Sequence, residues 1–166
     1  MLKQRQCPHC GCAETLNRHS NLYGNDPVSP DGRSVRGQRA WCSNRGQRGG
    51  CGRSFPLFIA DFLPRHTVRA SWLWQWLVKR LAGLSLQAAT QAAKVPFALE
   101  TFYRLDHKLR YGLEGLRTAL CGLSKPPDSS HAAPLLQTVE HLKQAFPESP
   151  CPVADFQVYF QQSLLG

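Results

Sequence analysis

Five of the seven cysteines lie between Cys7 and Cys51, in two clusters, and this pattern constrains the fold more than any other feature. The first cluster is Cys7-Pro8-His9-Cys10-Gly11-Cys12. A Cys-x-x-Cys-Gly turn aims successive backbone N–H groups at thiolate sulfurs, which is the geometry of a zinc knuckle. The second, from Cys42 to Cys51-Gly52, is wider, and its glycines let the chain fold back so that Cys42 meets Cys51. The spacing predicts one tetrahedral Zn²⁺ on Cys7, Cys10, Cys42 and Cys51, a closed set with no position for water and therefore structural. Spacing alone leaves Cys12 or His9 open as a substitute ligand. Disulfides are the alternative and need an oxidising compartment. Met1-Leu2-Lys3-Gln4-Arg5 begins no apolar signal segment, so the reading favours metal and a cytoplasmic, nucleoid-associated protein.

A ribbon of this size cannot bury enough apolar surface to fold unaided, so a metal would supply much of its stability. The expected fold is small and mixed: a zinc β-ribbon over 1–56, an all-α helix-turn-helix domain over 57–122, a linker over 123–134 and a short helical tail over 135–166. No apolar run approaches the roughly 18–20 residues that cross a bilayer, which argues against a membrane partner. The net charge of +9 is unevenly placed. Basic residues dominate through Leu120, whereas the remainder is mildly acidic, a distribution that suits a polyanion at the front and a protein contact at the back. Arg prevails over Lys in the ribbon, and its planar fork matches phosphate and guanine edges.

Along the chain, Leu16–Ser20 and Gly37–Cys42 read as short strands around a turn-rich stretch from Asn25 to Gly32. Arg33, Arg36, Arg39, Arg45, Arg48 and Arg53 stud the second half of this hairpin and are the candidate phosphate contacts. Trp41 and Phe55 are expected to cover the metal. Phe55–Pro64 reads as an apolar linker that docks on its neighbours. A helix is predicted from Thr67 as N-cap, with Val68, Trp72, Trp76, Leu77 and Leu81 in its stripe and Gly83 at its end. Ser85 should cap a second helix rich in small residues. After a turn at Lys94–Phe97, a third is predicted over 98–120, with Phe102, Leu105, Leu109, Leu113 and Leu116 on one face. Thr101, Tyr103, Arg104, His107, Lys108 and Arg110 occupy its polar face and are the candidate DNA contacts, Arg104 for a base edge and Lys108 and Arg110 for phosphates. Two short amphipathic segments, Leu135–Phe146 and Val153–Leu165, close the chain, and their apolar faces are expected to fold back on the Trp-rich helix, with partner binding as the alternative.

Cys-Pro-x-Cys-Gly, then Arg18-His19, Cys42-Ser43-Asn44-Arg45, Gly50-Cys51-Gly52-Arg53-Ser54-Phe55, a Trp-rich helix and a helix-turn-helix together resemble the N-terminal part of bacterial insertion-sequence transposases and their stand-alone relatives. The likeness spans residues 7 to 111. It implies a zinc ribbon on Cys7, Cys10, Cys42 and Cys51, a reading helix over 98–110, and DNA binding, often at an element's terminal repeats. The RNase H-like catalytic domain of that family has no room in the residues after Cys121.

No catalytic set is evident. His19, His66, His107 and His141 lack a nucleophile or carboxylate partner by spacing, and the Gly49-Gly50 pair lacks the Lys-Ser/Thr of a phosphate-cradling loop. The expectation is a zinc-dependent, non-enzymatic protein that binds duplex DNA, as a transposition-related accessory or regulatory factor. The alternative is an assembly subunit of a larger transposase, nuclease or RNA–protein complex, with the tail as protein contact. RNA is a further possible ligand.

Overall fold

The computed structural model describes residues 2–46 and 49–165. It divides into two compact units, 1–59 and 60–166.

The first unit is an antiparallel sheet in the order β1-β2-β3, formed by Leu16–Asn25, Arg33–Cys42 and Ser54–Phe58. Both hairpin strands are longer than the alternation of the sequence predicts. The register slips between Arg18 and Ser20 and again between Leu22 and Tyr23, and each bulge reverses the inward–outward alternation on which a sequence reading relies. The connecting turn is held locally. The Asp26 carboxylate accepts from Val28 N–H at 3.2 Å, and Asp26 N–H donates to the Gly32 carbonyl at 2.9 Å.

The apolar stretch expected to be a linker begins instead as β3, pairing with β2 from Trp41↔Ser54 to Gly37↔Phe58. Pro56 is tolerated because β3 is an edge strand and needs no outward donor. Gly37 is required by the closeness of this pairing, since a Cβ there would lie 2.1 Å from the Leu57 carbonyl oxygen.

Among the described residues the second unit holds six helices: α1 Ala70–Leu81, α2 Leu86–Ala93, α3 Leu99–Tyr111, α4 Leu113–Cys121, α5 Pro134–Ala145 and α6 Pro152–Phe160. Among the described residues none is long and apolar enough to cross a membrane. Their apolar faces meet in one core in which Leu73, Trp76 and Leu77 of α1 join Phe102 of α3, Leu142 of α5 and Phe156 of α6. The Trp76 and Phe102 rings lie 5.3 Å apart. Trp74, off the expected stripe, is also buried in this core. The last two helices pack back on α1, as expected of their apolar faces, and belong to the core of the helical unit.

Two helix limits differ from expectation. Thr67 is not the cap of α1, which begins three residues later. Asp61 does the capping: its carbonyl accepts from Ala70 N–H at 2.7 Å and its carboxylate from Ser71 N–H at 3.1 Å. The helix predicted over 98–120 is two helices parted at Gly112, where ψ is 3°. Glycine carries the highest helix cost after proline, and the break gives α4 its own direction, along which it packs on α5. Ser85 caps α2 as expected, its hydroxyl accepting from Ala88 N–H at 3.2 Å.

Candidate metal centre

The β1–β2 pairing brings the two cysteine clusters together. Leu16 pairs with Cys42, so the residues before β1, which include the first knuckle, lie beside the loop that leaves β2. In that first knuckle Gly11 N–H donates to the Cys7 carbonyl at 2.8 Å, and Gly11 takes a φ of 73°, which favours glycine. The second knuckle closes in the same manner. Gly52, also at φ 73°, donates to the Cys42 carbonyl at 3.0 Å, and Cys42 N–H donates to the Arg53 carbonyl at 2.9 Å. At Gly50 a Cβ would lie 2.1 Å from the Ser43 carbonyl oxygen and 2.8 Å from Cys42 Sγ. Only glycine passes there.

The result is a cluster of four sulfurs, from Cys7, Cys10, Cys42 and Cys51, all within 4.8 Å of one another and placed to hold a metal ion. Cys7 and Cys51 Sγ are 3.8 Å apart, as are Cys10 and Cys42 Sγ. All seven cysteines are free thiols, so the disulfide alternative is not realised. Backbone N–H groups turn toward the sulfurs, His9 N to Cys7 Sγ at 3.4 Å and Cys51 N to Cys42 Sγ at 3.3 Å. Cys12 stands outside the four, its thiol donating to the Gly49 carbonyl at 3.1 Å. His9 is turned to packing, its ring edge-on to Phe55 at 5.8 Å.

The electrostatics of the cluster are asymmetric. Cys42 is drawn down to about 6, first by the Thr15 hydroxyl 3.2 Å from its sulfur and further by the Cys51 N–H. At Cys51 the Arg53 backbone N–H favours the thiolate, but burial and the neighbouring thiols of Cys10, Cys7 and Cys42 outweigh it and push the group up to about 11. The surroundings thus favour a thiolate at Cys42 and oppose one at Cys51. A divalent cation would supply the charge that holds all four ionised.

Thr15 is a residue the sequence reading missed. Extending the Leu16↔Cys42 register by one residue would have found it, since Ser43 N–H donates to the Thr15 carbonyl at 2.8 Å. The aromatics divide. Phe55 packs against Cys7, Leu16 and Cys42 as expected. Trp41 does not: it points to the opposite face of the sheet, where its indole N–H donates to the Gly52 carbonyl at 3.1 Å.

The expected DNA contacts are placed unequally. Arg33, Arg39, Arg45 and Arg53 are exposed. Arg36 is buried and donates to the Asn25 carbonyl, so it serves the hairpin rather than a ligand. Arg48 lies outside the described residues. On α3, Tyr103, Arg104, His107 and Lys108 are exposed and Thr101 is half-buried. Lys108 Nζ sits 3.3 Å from His66 Nε2, and burial followed by the Lys108 charge lowers the affinity of His66 for a proton. Arg110 is held by Asp106, Nε to Oδ2 at 2.6 Å. The structure thus gathers the four metal candidates at one point, whereas the arginines are distributed over two units.

Compared with protein-family models, with curated proteins and with solved structures, the chain finds no match.

Proposed function

We propose that this protein is a zinc-dependent, non-enzymatic DNA-binding factor, of the transposition-related kind that the sequence resembles. The observation that carries it is a four-sulfur centre at the foot of a sheet whose strands expose Arg18, Arg33 and Arg39 and contain no Asp or Glu. Zinc fits the centre by size and chemistry. A tetrahedron with Zn–S bonds of 2.3 Å has sulfur–sulfur edges of about 3.8 Å. Four soft sulfur donors with N–H groups turned toward two of them favour zinc over a hard cation. The metal would be structural, because four protein sulfurs complete its tetrahedron.

The helical unit supports the second half of the reading. α2, the turn over 94–98 and α3 follow in the order of a helix-turn-helix, with α3 burying Phe102, Leu105 and Leu109 and exposing Tyr103, Arg104, His107 and Lys108. Arg104 is the base-reading candidate. Arg110 is engaged with Asp106, so phosphate contact falls to Lys108 and the ribbon arginines.

The test is selection of the zinc-loaded protein on a randomised duplex pool at two salt concentrations. A short enriched motif, lost steeply as salt rises, is the expected result. Arg104→Ala should then cost about 1–3 kcal/mol at one base position. Retention of no duplex would overturn the reading and favour an assembly subunit that docks on protein.

A further inference from the structure

One face of the ribbon is unused by the metal centre. The register puts Trp41 and Arg39 of β2, Ser54 and Phe58 of β3 and Ser20 of β1 on the side opposite Cys42, Ala40 and Phe55. Two aromatic rings therefore stand on this face. Phe58 is 54% exposed. Trp41 is half-buried, fixed by its N–H to the Gly52 carbonyl, and overlaid by the Arg45 guanidinium 5.4 Å from its ring centre. Trp41 is flanked across the sheet by Asn17 and Ser54, and Phe58 stands opposite Gly37, which has no side chain to cover it.

We infer that this face is a stacking surface for single-stranded DNA. The inference rests on the reading of the ribbon as a DNA-binding element, and it names a form of DNA that the helical unit does not need. Charge points to a polyanion, since Arg39 and Arg45 flank the rings and the three strands hold no carboxylate. The rings point to unpaired bases. Inside a duplex the flat faces of the bases are already stacked on each other, and only an opened strand can offer them to a side chain.

Phe58 is opposite Gly37, four residues from Trp41 along β2, which is about 13 Å at strand spacing. No single base spans that distance, so the two rings take different bases of one strand. Arg45 already shows that the Trp41 ring accepts a planar cation over its face, and a base would take that place while the guanidinium moves to a phosphate. The Gly52 carbonyl that orients Trp41 belongs to the knuckle of Cys51, which couples the platform to the metal centre.

The experiment is fluorescence anisotropy of the full-length, zinc-loaded protein with labelled oligothymidylate, oligouridylate and a random duplex. Trp41→Ala should raise the Kd for oligothymidylate roughly 5- to 150-fold, the range that loss of one stacked base corresponds to. Trp41→Phe should retain most of the affinity, and duplex binding should change little in either. Phe58→Ser, remote from the knuckle, repeats the test should Trp41→Ala fail to hold one equivalent of zinc. The inference fails if zinc-loaded variants bind oligothymidylate as the parent does, or if they lose strand and duplex equally. It also fails if the parent selects duplex but ignores the strand, in which case the DNA-binding reading survives. Tighter binding of oligouridylate would overturn the assignment to DNA, and binding of neither strand nor duplex would overturn both readings.

Discussion

Thr15 is the residue on which the metal centre turns without being a ligand. Its hydroxyl stands 3.2 Å from Cys42 Sγ and 3.3 Å from the Cys12 carbonyl, and its one hydrogen turns to the sulfur once that is ionised. The shift of Cys42 from 9.0 down to about 6 has this contact as its largest cause. A lowered thiol pKa favours the thiolate, the metal-binding form, so protons displace the metal only at lower pH. Thr15→Val removes the donor at nearly equal volume, raises the Cys42 pKa, and should move the midpoint of zinc loss to higher pH, measured by a zinc-sensitive dye during acid titration. A midpoint that stays or falls would show that the hydroxyl does not support the thiolate. The neighbouring cysteines separate by the same geometry. Cys10→Ser should abolish tight binding of one equivalent of metal, and Cys12→Ser, whose thiol contacts backbone carbonyls of Gly49 and Cys10 and stands outside the four, should leave the stoichiometry intact in mass spectrometry of the native protein. The ligand set was legible because the knuckle glycines are local signals. The support from Thr15 was not, because it depends on a register across two strands.

Among the elements, what was readable follows how local each stop signal is. Ser85 lies immediately before α2 and its hydroxyl reaches Ala88 N–H, so the sequence alone finds it. The Asp61 cap of α1 comes from nine residues upstream, through a chain reversal that no window around Thr67 contains. Gly112 is masked in the sequence because Leu109, Leu113 and Leu116 keep a helical spacing through the break. At the far end of α2, Lys94 closes the helix in the left-handed region, with φ 49° and ψ 42°. A side chain with a Cβ is strained there, and glycine is the residue that helix ends favour at such a φ. Lys94→Gly should therefore stabilise the helical unit, by about 0.5–1 kcal/mol after the entropy cost of glycine in the unfolded chain. Urea unfolding monitored by helical circular dichroism measures this. A loss of stability would mean that the Lys94 side chain has a role greater than the strain it imposes.

At the scale of the whole molecule the two units draw stability from different sources. The helical unit buries Leu73, Trp76, Leu77, Phe102, Leu109 and Phe156 in a continuous core. Among the described residues the ribbon's cluster of buried apolar residues is Cys7, Leu16 and Cys42, with Leu2 and Phe55 packed against it, and two of the buried three are thiols. Apolar burial at about 25 cal/mol per Å² can hold the first and not the second, which the metal proposed on its four cysteines would hold. The charge is divided in the same way, with nine Lys/Arg against three Asp/Glu in residues 1–59, so compacting the ribbon also concentrates repulsion that a metal-held frame must resist. A strong chelator should then melt the sheet while the six helices persist. In amide exchange followed by mass spectrometry, peptides from β1 and β2 should lose protection on chelation, and those from α1, α3 and α5 should keep it. Trp76→Ala should invert the pattern, costing the helical unit about 3–5 kcal/mol through the cavity it leaves while the metal stoichiometry remains one. Protection lost in both units together on chelation would show one cooperative fold instead, and would make the metal a stabiliser of the helices as well as of the ribbon.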